Sequence, residues 1–430
     1  MLNGWENLPK LCLIEPPYTQ FIADIDAPFS LLYLAAIAEQ NEWNVEIVDM
    51  QTLDDPLPGA DLYGVTATSP QWPAAVNLAK RLKQEYPSTL TVCGGPHVSA
   101  RPYDGFASEF DITVVGEGEK ALENILRACE SFVVLRYSNI IHGEPIINLD
   151  EVPFPARHLI DWKKYKRGIY WGADLMAPAV SIISSRGCPY GCIFCGSHSV
   201  FGRRVRFRSV ANVVAEIQQV IASMGYHGFN FHDDTFCINR ARVFDLCKEF
   251  EKLNIVWRCL SRADTVDKDV VKAMSKAGCK EVILGVETGS QKILDNLNKG
   301  TTVETNLHAM KALKKGRIQL KVGLIVGSPG ETFETVEATK KLMKQCPPDF
   351  WNVSVFTPFP GCDVAEHPEK YNVKILTTDL TELAMVGKEF KGNVVMETEA
   401  MSKSDIEQAR DDLIDFMMQI SPPPKWRSES

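Results

Sequence analysis

Short apolar runs alternate along this chain with stretches whose apolar positions recur at helical spacing. In the first third, the runs predict strands over residues 11–14, 45–49, 62–66, 90–93 and 112–115. Between them, the helical period predicts helices over residues 31–40 and 74–86, and a third ending at Cys129. The first strand must stop at Glu15-Pro16-Pro17, because proline has no N–H to give a ladder. Strands alternating with helices at these lengths predict an α/β fold, with a doubly wound parallel sheet and helices on both faces. Ligands on such sheets bind beyond the carboxyl ends of the strands. Those ends carry Pro16-Pro17-Tyr18 and residues 66–72, 94–99 and 116–119, and glycine and small polar residues cluster among these turns.

Residues 149–167 lose the rhythm and carry Pro153 and Pro155, as a connection between domains would. From residue 179 the alternation resumes. Strands are predicted over 179–184, 228–232, 256–260, 281–286, 319–326 and 351–356, with helices that include 210–223, 241–253 and 268–276. Six such units in a row predict an open barrel of parallel strands. After Tyr371 the pattern is mostly helical, clearest over 403–420, and residues 421–424 should fray. The expected division is 1–148, a linker over 149–178, a barrel over 179–370 and a small helical region over 371–430.

Composition narrows the class. The chain has 430 residues, 45% of them apolar and 23% charged, which suits two or three domains of ~150 residues and excludes a disordered polymer. A net charge of −9 argues against a general nucleic-acid binder, which would show a basic face. Residues 1–7 lack a basic segment followed by an apolar one, so no signal peptide is expected. No apolar run reaches the ~20 residues that span a bilayer. A soluble, cytoplasmic enzyme is the expectation. In a reducing compartment, clustered members of the 12 cysteines mean metal or catalysis more often than crosslinks.

One cluster stands out: Cys188-Pro-Tyr-Gly-Cys192-Ile-Phe-Cys195, in the loop after the strand at 179–184. Three thiols in eight residues can converge on one centre. An iron–sulfur cluster uses thiolates, and three protein ligands leave one iron open to a small molecule. By spacing alone a zinc site of three cysteines and a histidine stays open, since His198 follows Cys195 closely. Asp233 and Asp234 follow the second barrel strand, where either could cap a helix. Cys237, Cys247, Cys259 and Cys279 read as buried small hydrophobes; Cys346 and Cys362 lie near loops, with core or neutral roles expected and a substrate-side thiol the alternative. Lys299-Gly300 reads as a helix end.

The cysteine spacing, with Phe194 just before the last thiol, resembles the radical S-adenosylmethionine superfamily. That resemblance implies a partial (βα)6 barrel of the TIM type. It also implies a 4Fe–4S cluster on Cys188, Cys192 and Cys195, whose open iron chelates S-adenosylmethionine. By the same resemblance, Phe194, Asp233, Asp234, Arg262, Glu287, Ser290 and Gly327 lie around that cofactor. Asp233-Asp234 departs from the family's usual Gly-Gly-Glu form but still offers carboxylates to an ammonium. Asp264 follows Arg262, and Gly323-Leu-Ile325-Val-Gly327-Ser-Pro-Gly330-Glu331 is similar to the fifth-strand motif beside the adenine.

The N-terminal part resembles the Rossmann- or flavodoxin-like cobalamin-binding domain that precedes the barrel in cobalamin-dependent radical enzymes. The resemblance implies cobalamin contacts at Pro17, Tyr18, Thr66, Ser69, Gln71, Trp72, Gly94, Gly95, Pro96, His97, Gly116, Glu117 and Gly118. None of the eight histidines stands in the Asp-x-His-x-x-Gly pattern of an axial ligand, so no histidine from that motif should hold the cobalt. Two other readings of this part are a sheet without cobalamin and a second cluster on Cys12, Cys93 and Cys129.

Together the resemblances imply a methyltransferase. It would form a 5′-deoxyadenosyl radical and pass methyl from methylcobalamin to an unreactive carbon, or phosphorus, of a small-molecule or peptide substrate. The electron would come from an external one-electron donor of the flavodoxin or ferredoxin kind. A cyclase or rearrangement without net methyl transfer is the alternative, and a zinc-stabilised binding protein the remote one. No resemblance covers the residues after about 365, and no catalytic side chain is singled out.

Overall fold

The computed structural model describes residues 8–18, 27–51, 57–130, 139–165, 168–171, 174–383 and 392–422. The readings made of residues 1–7, Pro423 and Pro424 lie outside the described residues. The chain divides into two compact units. One holds residues 1–166, 196–202 and 379–382, and the other holds 167–195, 203–378 and 383–430.

The first unit is built on β1 (Lys10–Glu15), β2 (Asn44–Asp49), β3 (Leu62–Thr66), β4 (Leu90–Gly94), β5 (Ile112–Val115) and β6 (Asn139–His142). Their order across the sheet is β2-β1-β3-β4-β5-β6, with every neighbouring pair parallel. The sequence pattern predicts five of these strands. The sixth, Asn139-Ile-Ile-His142, is a short run that becomes a strand by pairing with β5.

Successive residues of a strand point to opposite faces, and here both faces are covered. Leu11 and Leu13 pack with the helices Phe29–Gln40 and Glu119–Glu130, while Cys12 and Ile14 pack with the helix Trp72–Glu85. Cys93 shares the layer of Cys12, but Cys129 packs against the opposite layer. The sheet therefore keeps these three thiols from converging, which removes the second-cluster reading.

The second unit begins with β7 (Gly168–Trp171) and β8 (Asp174–Ile182), followed by a short antiparallel pair, β9 (Ser185–Arg186) and β10 (Arg206–Phe207). Then come β11 (Gly228–Phe231), β12 (Val256–Ser261), β13 (Cys279–Glu287), β14 (Gln319–Val326) and β15 (Phe350–Val355). The sheet order is β15-β14-β13-β12-β11-β8-β7. Strands β8 and β11 to β15 run parallel in chain order, and β7 adds antiparallel to β8. Thus part of the stretch expected as a linker is strand, because β7 pairs with β8. Strand β7 also folds back within the curl to touch β11, β12 and β13.

Helices cover the outside of this curled sheet only. On β14 the outward Leu320, Val322, Leu324 and Val326 are each 0% exposed, while the inward Lys321, Gly323 and Ile325 are half-buried. Solvent reaches the inner face at Lys321, Gly323 and Ile325, whereas Ser181, Asn230, Glu281 and Gln319 on the same face are buried. The tail adds an antiparallel pair, β16 (Val373–Ile375) with β17 (Met396–Thr398), to the expected helix. That helix, Lys403–Ile420, is opened by a reciprocal cap between Ser402 and Asp405.

Candidate functional site

The loop carrying Cys188, Cys192 and Cys195 leaves the barrel just past β8. Its base is pinned by Asp233, at the end of β11. Asp233 accepts from the Ser184 amide at 2.7 Å and from the Ser184 and Ser185 hydroxyls at 2.6 Å each. Asp233 is 2% exposed, and both its oxygens are engaged in these bonds. It caps no helix, since Thr235 opens the short turn that follows. Its work is to hold the cysteine loop against the sheet, and half-buried Asp234 is the more accessible of the two carboxylates.

Further bonds fix the loop itself. The Ile193 amide donates to the Leu297 carbonyl at 3.1 Å, Asn298 Nδ2 to the Gly191 carbonyl at 2.8 Å, and Arg203 Nη1 to the Tyr190 carbonyl at 2.6 Å. The Cys195 amide closes a turn onto the Cys192 carbonyl at 3.2 Å. Phe194 packs edge-on to Phe356, in the small core that holds Ile193. Cys188, Cys192 and Cys195 form no disulfide and are half-buried, whereas Cys237, Cys247, Cys259, Cys279, Cys346 and Cys362 are buried. Three half-buried thiols on one pinned loop are the donor set that a 4Fe–4S cluster with an open iron takes from a chain. Among the described residues, no three of His, Cys, Asp or Glu gather as one bare metal ion would require.

Two cations face this loop. Arg262 stacks on Tyr190, its Cζ 3.4 Å from the ring centroid, and its Nη1 lies 3.7 Å from Cys192 Sγ. Its Nε and Nη2 donate to Asp264, at 3.0 Å each, and Nη2 also to the Lys299 carbonyl at 2.6 Å. Arg262 is thus committed to the cysteine loop. Burial pushes the Cys192 thiol up, while Lys299 and Arg262 pull it down.

Lys299 closes the end of the helix Gln291–Asn296, as the sequence suggests, its amide donating to the Leu294 carbonyl at 3.0 Å, and its side chain is buried. Its Nζ donates to Glu287 Oε1 at 2.6 Å and lies 5.7 Å from the Phe194 ring. Glu287 sits at a bulge on β13 with φ of 63°. A Cβ at position 285 would come within 2.6 Å of Glu287 Oε1 and 2.9 Å of Lys299 Nζ, so a side chain there would displace the pair. Gly285 was the available sequence signal, but it does not name the cation.

Ser290 opens the helix Gln291–Asn296 next to this pair. After β14, Gly327 takes φ of 86°, and the Gly327 and Ser328 amides donate to Glu331 Oε2 at 2.5 and 3.2 Å. Burial pushes Glu331 up to about 7. A carboxyl raised in the folded state keeps its proton longer there than in the unfolded chain. Its stabilising effect is therefore complete below about 4.5 and is lost as pH climbs towards 7. Glu331→Gln should flatten the decline of melting temperature across that window, measured by a thermal scan at stepped pH.

In the first unit, strand order reverses around β1 and β3, so the crevice outside their carboxyl ends is the expected ligand position. Gln71 closes its base. Its Nε2 donates to Glu15 Oε1 at 2.7 Å and to the Pro16 carbonyl at 2.9 Å, and its Oε1 accepts from the Thr68 amide and hydroxyl. His97 is 0% exposed, stacked on Trp72 at 4.7 Å. Its Nδ1 meets Ser69 Oγ at 3.1 Å, and its Nε2 lies 3.2 Å from Asp104. Burial holds its pKa down at about 4, so the ring is neutral.

The thirteen residues expected around cobalamin therefore separate into two groups. Ser69, Gln71, Trp72, His97 and Glu117 are buried, and Pro17, Tyr18, Thr66, Gly94, Gly95, Pro96, Gly116 and Gly118 are reachable. Gly95 takes φ of 97°, and a Cβ there would meet Thr66 Oγ1 at 2.6 Å. Bare backbone along these strand ends fits a broad, closely approached cofactor. Sequence reasoning missed Glu15, which burial pushes up to about 7, and Asp49 with its Tyr165 hydroxyl donor at 2.8 Å. Neither belongs to a motif.

Residues 182–343 match the Radical SAM superfamily, and residues 26–126 match the B12 binding domain. An uncharacterized methyltransferase of Pyrococcus horikoshii is 32% identical over 392 residues, which cover 83% of each chain. The anaerobic magnesium-protoporphyrin IX monomethyl ester cyclase of Rubrivivax gelatinosus is 31% identical over 71% of this chain and 58% of its own. The fold is similar to that of TsrM from Kitasatospora setae, a radical S-adenosylmethionine methyltransferase solved with cobalamin and a 4Fe–4S cluster. That match has a TM-score of 0.70 at 16% identity over 96% of this chain and 89% of the other. The cobalamin-dependent enzyme OxsB gives 0.72 at 17% identity, over 95% and 67%. Among the described residues, no helix is long and apolar enough to cross a membrane.

Proposed function

The chain belongs to the radical SAM superfamily and carries a B12 binding domain, and from that premise we infer that it is a methyltransferase. Its cofactors are a 4Fe–4S cluster, S-adenosylmethionine and cobalamin. When bound, they supply a carbon-centred radical and a methyl group. The chain's own residues do the rest. Cys188, Cys192 and Cys195 would hold the cluster. Asp233 and its serines would keep the cysteine loop rigid, and Arg262 would balance the thiolate charge at Cys192. Glu287, Ser290, Gly327 and Asp234 would border the S-adenosylmethionine. The exposed edge from Pro17 to Gly118 would border the cobalamin, with His97 and Gln71 shaping its floor from beneath.

One observation supports methyl transfer above all: the methyltransferase relative matches 83% of this chain. The cyclase relative favours a second reading, rearrangement without methylation. Product mass separates them. Methylation should add one methyl per turnover and release S-adenosylhomocysteine in equal amount. A product of unchanged methyl count would establish the second reading. An external one-electron donor and a small-molecule or peptide substrate belong to either.

A further inference from the structure

The inner face of the half-barrel carries a row of polar side chains near its closed end. Across the sheet, Ser181 of β8 pairs with Asn230 of β11, Asn230 with Arg258 of β12, and Arg258 with Glu281 of β13. Gln319 of β14 pairs with Glu281. All five share the inner face. Their sequence neighbours Phe229, Phe231, Trp257 and Val282 are buried on the helix side, and Phe231 packs with Phe250 and Trp257 there.

Asn230 is the unusual member. It is 2% exposed, and neither Oδ1 nor Nδ2 has a hydrogen-bond partner. Turning the amide over exchanges the two atoms and leaves both unpaired. A buried amide without partners costs free energy and is rare in a finished fold. Beside it, Arg258 Nη1 and Glu281 Oε1 stand 3.5 Å apart, so their charges balance and the row offers no net charge. Above the row the wall turns apolar: Leu260 is 40% exposed, and Ile283 is half-buried.

We propose that this row is the substrate's recognition subsite, and that the substrate presents there an uncharged carboxamide-like end, donor and acceptor side by side. The assignment rests on the reading of the barrel as a catalytic chamber. A carboxamide supplies both partners that Asn230 lacks. A phosphate or carboxylate would meet a row whose only cation is already paired. Arg258 and Leu260 lie on one face of β12, and Arg262 follows its last residue. The four-residue rise from floor to cysteine loop is ~13 Å, which bounds the length the substrate spans inside the barrel. Its apolar body would lie along Leu260 and Ile283.

The test uses the full-length protein without S-adenosylmethionine or cobalamin, so it does not depend on methyl transfer. Calorimetric titration compares nicotinamide, benzamide and acetylalaninamide with nicotinate, benzoate and inorganic phosphate. At least one amide should bind about tenfold tighter than its acid or phosphate. Asn230→Leu should erase that preference while leaving the melting temperature equal or higher, because it removes two unpaired polar atoms. If Asn230→Leu fails to fold, Asn230→Asp, which loses the donor, should shift preference away from the amide. Equal binding of all probes, no binding, or a preference that survives either substitution overturns the assignment and leaves a row filled by water. Failure of the methyltransferase reading would appear instead as unchanged product mass with amide binding intact.

Discussion

Replacing Cys192 with alanine is expected to abolish the cluster and, with it, formation of 5′-deoxyadenosine. A cluster held by three thiolates cannot lose one and keep its open-iron arrangement. Cys192 is the position to test. Its thiol faces Arg262 at 3.7 Å, and its carbonyl accepts the turn that carries Cys195. Iron and sulfide should fall from stoichiometric to trace amounts after anaerobic reconstitution, and 5′-deoxyadenosine should fall to background. Cys259→Ala is the matched control. Cys259 is 1% exposed inside the barrel wall, and its thiol is pushed far up by burial. Its loss should lower stability and leave iron content unchanged. Full iron in the Cys192 variant would refute the assignment.

Removing Lys299 should produce the largest loss of stability. Lys299 and Glu287 are 7% and 9% exposed at the side chain, and they meet at 2.6 Å. Breaking a buried pair by deleting one partner strands the other charge and costs about 3–5 kcal/mol. Lys299→Met should therefore lower stability in that range, read from denaturant unfolding of the barrel, and activity should fall with it. Lys299→Met combined with Glu287→Gln should recover most of the loss, because no bare charge remains. That recovery separates an electrostatic effect from lost packing, since both variants lack the lysine. A cost under ~1 kcal/mol for Lys299→Met would mean that water already shares the pair.

The order of elements was legible from sequence because it rests on local physics. Strand period, helical period and proline stops are properties of neighbours in the chain. They placed β14 at residues 319–326 and the helix Lys268–Lys276 as the structure has them. They missed β6 and β7, whose strand character comes from pairing with β5 and β8.

Chemistry divided in the same way. The cysteine cluster is a local spacing, so it could be read before any fold existed. The partners of Asp233, Gln71 and Lys299 could not. Gln71 reaches Glu15 across 56 positions, and Asp233 reaches Ser184 across 49. A sequence says that such a side chain is polar and sits at a strand end. Which atoms satisfy it is settled by what packing brings alongside. That is why Asp233 became a brace, Lys299 became half of a buried pair, and Asn230, plain in the run Phe-Asn-Phe, became the one amide in its row left without a partner. The sequence by itself determined the two domains and the thiols. Tertiary structure decided which polar groups are used up in holding the fold and which remain to meet a ligand, because burial makes every unpaired polar atom costly and only the folded chain shows where those atoms are.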